Sequence, residues 1–504
     1  MLLLLPSLLL IAVVVSVLLF VSIKVQKNYA YWKDRGMLHD TPKFFMGNLI
    51  GLGKTKSLTE IVREYYMKYQ NSGLPFVGFF VFFRPTAFII DLDLVKNILV
   101  KDFQYFSERD LYYNEKDDPL SANLLNLEGI KWKALRHKLT PTFTAGKIKF
   151  MFPTVVAVSE ELCETLTDEI SVDHIVDVKD LVSRYTVDVI GKCAFGIECN
   201  SLKDPQVEFR QHIKKFTKQM QKDSVTRVLA LNYPTIARRL GITLTPKHIA
   251  NFFMNTVKDT IEYREHNNVE RKDFMNLLIA LKNNGDKDVG NLTLTEVASQ
   301  AFIFFLAGFD TSSTTVSFCL YELALNEDIQ NKTREEITTI LRKHNGEVSY
   351  DSLSEMVYLE QVVNETLRMH SVTPILPRLC VEEYKVPGSD LVIEEGTRVY
   401  IPMEGIHHNE DIYPNPNKFD PERFTKANVH DRHPSAFLPF GEGPRNCIGK
   451  RFGMIQTKIA ILTLIRDFTF EVCSKTPIPI KLDPMIMLTM CKGGIYLNIK
   501  KIQK

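Results

Sequence analysis

Cys447 sits in the run Phe440-Gly-Glu-Gly-Pro-Arg-Asn-Cys-Ile-Gly449. Five residues at fixed spacing carry the pattern: Phe440, Gly443, Arg445, Cys447 and Gly449. At average composition, about one chain in ten thousand of this length holds such a run. Glycines let a backbone pass close to a flat ligand without side-chain clash. Backbone N–H groups of the turn, together with Arg445, favour the thiolate over the thiol. A thiolate held in this way is suited to be the axial ligand of a haem iron. An isolated free cysteine is more often a small buried hydrophobe, but its surroundings set Cys447 apart.

A second segment breaks local rules in one place. Thr293 and Glu296 form a capping box, and helical sequence follows to about Leu325. About 32 residues at 1.5 Å each span about 48 Å, enough to cross a domain. Ala301 to Ala307 is apolar all round, so this helix belongs in the interior. Its middle reads Ala307-Gly-Phe-Asp-Thr-Ser-Ser-Thr-Thr315. Glycine, an acid and a run of hydroxyls are poor formers in a helix interior, and a buried acid is costly. Broken rules concentrated at one place point to a functional site. The plainer alternative is a kink with Ser and Thr bonding back to carbonyls. Reductive chemistry on dioxygen needs protons delivered without flooding the site. A hydroxyl beside a backbone defect orients a single water, and an acid relays protons to it.

The run 440–449 resembles the haem-binding loop of the cytochrome P450 family, and 307–312 resembles its oxygen-activation segment. Asp310 and Thr311 fall on the acid and alcohol positions of that segment. Trp132-Lys-Ala-Leu-Arg136 is similar to the family's WxxxR element, its indole and guanidinium one helical turn apart. The resemblance implies that Trp132, Arg136, Arg378 and Arg445 hold the cofactor's propionates, as N–H and charge-assisted donors. Phe440, Cys447 and Gly449 complete the implied cofactor site, with Cys447 as the metal ligand. Glu365, Arg368 and Arg423 match a structural Glu–Arg–Arg network. The stretches Leu139–Pro153 and Gly443–Met454 look like insect microsomal members that handle plant toxins and insecticides.

What this implies is a mainly α fold: a large helical domain with small β-sheets around a buried haem b (iron protoporphyrin IX), plus an N-terminal anchor helix. The implied activity is monooxygenation of lipophilic small molecules. NADPH–cytochrome P450 reductase is the implied electron donor, with cytochrome b5 as a second one. A reductase-independent enzyme that rearranges peroxides is one competitor, and a haem sensor without turnover is another. The Asp310–Thr311 pair argues against both.

The remaining chain must position these groups. Formal charge is 62 − 60 = +2, which gives no global case for nucleic-acid binding. Eight cysteines are scattered without a CxxC, so the chain reads as reduced;. Leu2–Ile23 is 22 uncharged residues, long enough to span a bilayer. It lacks the basic start and small-residue cleavage site of a signal peptide. Lys24, Lys27, Lys33 and Arg35 follow, which places that flank in the cytosol. The domain reading is therefore 1–23 as transmembrane signal-anchor, 24–50 as basic, proline-containing hinge and 51–504 as cytosolic catalytic domain. The location is the endoplasmic reticulum membrane, recovered as microsomes. Tyr31 and Trp32 are expected at the membrane interface.

Helical periods appear at 57–69, 148–170, 177–195, 248–266, 274–283 and 329–344. Strand-like runs occur at 76–83, 87–90 and 399–401, and a polar loop at 283–291. Lys131, Lys133, His137, Lys138, Lys147 and Lys149, with Lys450 and Arg451, are expected on one basic face for an acidic electron-transfer partner. Phe302, Phe304, Phe305 and Phe309 form an aromatic stripe, which is more often core than pocket. Positions near 304–307, 371–374 and 486–490 are expected, by resemblance, to line a large apolar pocket.

Overall fold

The computed structural model describes residues 4–222, 224–271, 273–283 and 290–503. The fold is mainly helical with small sheets, as the sequence implies. Ser57 caps the helix Leu58–Tyr69 through reciprocal bonds with Glu60. The other helical periods become Ala145–Val172, Lys247–Asn267, Phe274–Asn283 and Glu327–Lys343. The run expected at 177–195 is α-helical only over Val178–Ile190, then widens to one π turn at Gly191–Phe195. Most of the polar loop expected at 283–291 lies outside the described residues.

A four-stranded sheet runs in the order Phe76–Val81, Arg84–Ile89, Arg398–Ile401, Leu376–Leu379. Its first and last pairings are antiparallel and its middle pairing is parallel. The strand Phe76–Val81 is buried along its whole length, so it reads as a continuous apolar run without alternation. A three-stranded sheet joins Ile175–Asp177, Tyr496–Lys501 and Phe468–Val472.

The helix Leu294–Leu325 is the axis of the larger core. Thr293 and Glu296 cap it reciprocally, as expected, and it runs uninterrupted. It is long and apolar enough to cross a membrane, yet 67% of its most apolar window is buried in the protein. Its apolar character serves the core. Two helices pack on it. At Gly308 a Cβ would come within 2.5 Å of the Ile190 Cδ1, so a larger residue there would make that side chain of Val178–Ile190 shift. Lys450–Asp467 approaches where Gly453 faces Ser312.

A second core joins the four-stranded sheet to the N-terminal region. The chain forms a helix over Leu4–Asp34. Its end corrects one expectation. Trp32 is buried to 1% exposure, donates from Nε1 to the Phe79 carbonyl at 3.1 Å, and packs over Gly78. Tyr31 donates to Glu394, and Arg35 makes an ion pair with the same carboxylate. Trp32 therefore fastens the helix to the sheet from inside the protein. An aromatic pair beside a basic flank looks the same in either role.

The Glu–Arg–Arg network assembles. Arg368 bonds Glu365 at 2.7 Å with both side chains fully buried, and Arg423 reaches Glu365 at 3.3 Å. Arg368 also donates to the carbonyls of His407 and Pro416. It therefore pins three chain segments together.

Candidate active site

The thiol loop is a tight turn feeding a helix. Cys447 donates its N–H to the Phe440 carbonyl at 2.8 Å. Gly449 is the N-cap of Lys450–Asp467, so the thiol stands at the positive end of a helix. Gly443 is in the left-handed region, φ 73°, and a Cβ there would lie 1.8 Å from the Leu99 carbonyl oxygen. Its freedom serves the packing of the loop on the second core, and not the approach of a ligand. Gly449 fits the expected use better: a Cβ would meet only the Cys447 Sγ, at 4.0 Å, and otherwise open space.

Cys447 lies deep among protein atoms, yet its side chain is accessible. Both hold because it opens into internal space. Burial pushes its thiol up. The Gly449 N–H and the charges of Arg109, Arg136 and Lys450 pull it back. Arg445, expected among the thiolate's partners, is not one of them. Its guanidinium stacks on Trp132 at 3.8 Å and donates to the carbonyls of Ser107 and Leu127.

Four guanidinium groups gather here. Arg136 donates to the backbone and side-chain oxygens of Asn446, at 3.0 and 2.8 Å. Arg109, a residue the sequence motifs do not mark, donates to the carbonyls of Leu125 and Arg445. Burial and the neighbouring Arg136 push Arg109 down to about 10. Burial, then Arg109 and Arg445, push Arg378 far down. Arg378 Nε and Arg445 Nη1 are buried without an acceptor. A buried cation cluster with orphaned N–H groups is missing anions. The two propionates of a haem supply that kind of charge, so these residues fit the group that the thiol implies.

The long helix faces this space. Ala307 is exposed although it sits mid-helix in the core, so it lines the cavity. Phe302, Phe305 and Phe309 do not: they are buried, and Phe305 packs against Phe209 and Phe253. Thr311 Oγ1 donates to the Ala307 carbonyl at 2.6 Å. This is the plainer back-bonding alternative, without the backbone defect expected from sequence. With its proton engaged, the Thr311 oxygen is left as an acceptor for a water or substrate hydroxyl. Burial raises the neighbouring Asp310 carboxyl to about 6, with Lys179 opposing. An acid with that value takes up and releases protons near neutral pH. Two other expected pocket segments meet where Thr489 donates its N–H to the Val372 carbonyl at 2.9 Å.

On the thiol loop's outer side lies a cleft of about 510 Å³. Phe424, Phe437 and Phe440 wall it, and Arg432, Lys450 and Arg451 reach it. Lys149 joins the rim through Tyr350, 5.5 Å away. Lys131 is instead paired with Glu115, and Lys138 donates to the Gly290 carbonyl. The basic face is narrower than the sequence cluster.

The Cytochrome P450 family model matches residues 39–499. Cytochrome P450 6a2 of Drosophila melanogaster is 46% identical over 486 residues, 94% of this chain and 96% of that protein. Probable cytochrome P450 6a18 of the same species is 47% identical over 498 residues, 97% and 98% of the two chains. Likeness of that extent, around a thiol loop whose surroundings accept a dianionic haem, makes this chain a member of the cytochrome P450 family, a haem b monooxygenase of the insect type.

Proposed function

We propose that this chain is a membrane-anchored monooxygenase of lipophilic small molecules, with foreign compounds such as plant toxins or insecticides as its main substrates and hormones as a second class. The observations that support the reading are the accessible Cys447 thiol, deep in the protein, and the exposed mid-helix Ala307 just ahead of Asp310 and Thr311. Cys447 holds the iron. Arg109, Trp132, Arg136, Arg378 and Arg445 hold the propionates, and Phe440 and Gly449 shape the loop around the ring. Haem, when bound there, supplies the reductive chemistry on dioxygen that places one oxygen atom in substrate and one in water. Asp310 exchanges protons with the surface past Lys179, and Thr311 accepts a hydrogen bond from the water that carries them.

The basic cleft under the loop receives the electron donor. Its cations Arg432, Lys450 and Arg451 steer an acidic partner, in keeping with NADPH–cytochrome P450 reductase and with cytochrome b5 as a second donor;. Residues 1–23 anchor the chain in the endoplasmic reticulum membrane, 24–50 link it, and 51–504 work on the cytosolic side. The test is product formation from a panel of lipophilic compounds in membranes carrying the chain with or without the reductase. Turnover that needs NADPH and the reductase supports the reading. Turnover by organic peroxide alone, with none from NADPH, overturns it in favour of the peroxide-rearranging class.

A further inference from the structure

Arg445 does more than stack on Trp132. Its Nε donates to the Ser107 carbonyl and its Nη2 to the Leu127 carbonyl, each at 2.9 Å. Its third nitrogen, Nη1, is buried without a partner. One guanidinium thus stitches two stretches of chain together, and the residue after each acceptor is a glutamate. Glu108 and Glu128 are brought side by side in this way. A Cβ built on Gly129 would lie 3.9 Å from Glu108 Oε1. Glu128 Oε1 accepts the Asp110 N–H at 3.1 Å. The Glu108 carbonyl accepts the Leu379 N–H at 2.9 Å, next to Arg378. Glu128 is the N-cap residue of Gly129–Leu139, the helix that carries Trp132 and Arg136, yet its side chain makes no capping bond. It bonds the turn after Glu108 instead.

Two half-buried carboxylates beside each other repel unless they hold a proton between them;. Asp110 adds a third acid, already engaged by Arg84 and Arg398. On the outer side Arg238, 5.2 Å over the Tyr113 ring, attracts Glu128, and Lys131 is paired with Glu115. On the inner side Arg445 attracts Glu108, with Arg109 and Arg136 behind it. Burial, then Glu108 and Asp110, raise the Glu128 carboxyl to about 7, and burial also raises Glu108. Burial and Arg109 push Arg445 down to about 9, and the two glutamates oppose that fall. Arg109, Arg136, Arg378 and Arg445 bring four cations to this place. Two propionates neutralise two of them. The glutamates add one negative charge while they hold a proton, and two when they hold none.

We propose that Glu108 and Glu128 are a proton-holding counter-charge for Arg445 and its neighbouring guanidinium groups, so that the field at the cofactor follows the protonation of this pair. Both are positioning residues, which act through Arg445. When fully ionised, the pair competes with the propionates for the guanidinium groups and disfavours an added electron. When it holds one proton, the cluster is more positive, and it accommodates both the propionates and the electron better. Adding one electron to the cofactor therefore draws a proton from solvent onto the pair. That the guanidinium cluster holds the propionates is the part that rests on the functional reading given above.

Redox titration of the full haem-loaded chain, followed by absorption, tests the coupling. Asp310 also titrates near pH 6, so the step is read in an Asp310→Asn background. At fixed applied potential the ferrous-to-ferric ratio should fall about threefold between about pH 6 and pH 8. Adding Glu128→Gln, which keeps an acceptor for the Asp110 N–H, should abolish the fall. Adding Glu108→Gln removes a like charge and should move the fall to lower pH. Haem transfer to apomyoglobin gives a second readout. Glu128→Gln should slow it about threefold at pH 8 and leave it near the parent rate at pH 6, because the charge is already absent there. A residue that only supports the fold would speed transfer at both values when replaced. A ratio that does not change with pH, a fall that survives Glu128→Gln, or faster transfer from Glu128→Gln overturns the proposal. Arg109→Gln should speed transfer. An unchanged rate there contradicts the placement of the propionates, and the fall in ratio then decides alone whether the pair acts on the cofactor.

Discussion

The thiol loop and the segment at 229–245 are held by different forces. Leu438 of the loop region is buried in one large core, while Phe440 and Ile448 pack on the other. The fully buried Arg368–Glu365 pair connects to the loop through His407, whose carbonyl Arg368 holds and whose ring accepts the Leu438 N–H. The segment at 229–245 rests on three buried side chains and on hydrogen bonds with Asp118, Tyr112, Arg84 and Arg398. A group that must hold a metal in one geometry is fixed by packing from two sides. A segment held mainly by hydrogen bonds opens at smaller cost than one held by packing.

If the rigid region is rigid for this reason, breaking it should have large effects. Arg368→Ala leaves the Glu365 carboxylate buried and strips the carbonyls of His407 and Pro416 of a donor. The expected loss is about 3–5 kcal/mol, read as a lower denaturation midpoint and poor haem retention. A change below about 1 kcal/mol would mean that the network does not support the loop.

Asp310→Asn should act on stability in the other direction. Burial raises the Asp310 carboxyl from 3.8 to about 6, so the fold prefers its protonated form. Between these values the native state keeps a proton that the unfolded chain releases. Stability therefore falls as pH rises through this window and levels off above it. The Asn variant should gain about 2 kcal/mol at pH 7 and almost nothing near pH 4, after allowance for the carboxyl's partial exposure. Denaturant melts at the two pH values check this. Its coupled turnover should also lose pH dependence around pH 6.

The smallest structural effect belongs to Thr311→Ala. It removes one back-bond to Ala307 and should change stability by less than about 0.5 kcal/mol. It should nonetheless raise the peroxide released per NADPH consumed severalfold. Unchanged coupling would leave Thr311 as a residue of the helix only.

Much of the rigid region is legible in the sequence because its signals are local. The Thr293–Glu296 capping box and the Glu365–Arg368 spacing each act within one turn of chain and appear in the structure as read, while in the 440–449 run Gly443 and Arg445 have partners other than those expected. Arg109 is not legible. It is a lone arginine in a polar loop, and only the left-handed turn at Asp110 decides which way it points. The support of residues 229–245 escapes for the same reason. Asp110 meets Arg398, and Asp118 meets Leu244, across more than a hundred residues of chain, with no repeat or spacing to announce them. Trp32 carried a signal, but one that fits a membrane interface and a sheet face equally well until the Phe79 carbonyl is seen beside it.

The central claim is that Cys447 holds the haem iron. The most direct measurement is the absorption spectrum of the ferrous carbonyl adduct of the parent and of Cys447→Ala, at matched haem content. The parent should show the strongly red-shifted Soret band of a thiolate-ligated iron, and Cys447→Ala should lack it altogether. A red-shifted band retained in Cys447→Ala would place the ligand elsewhere and contradict the account.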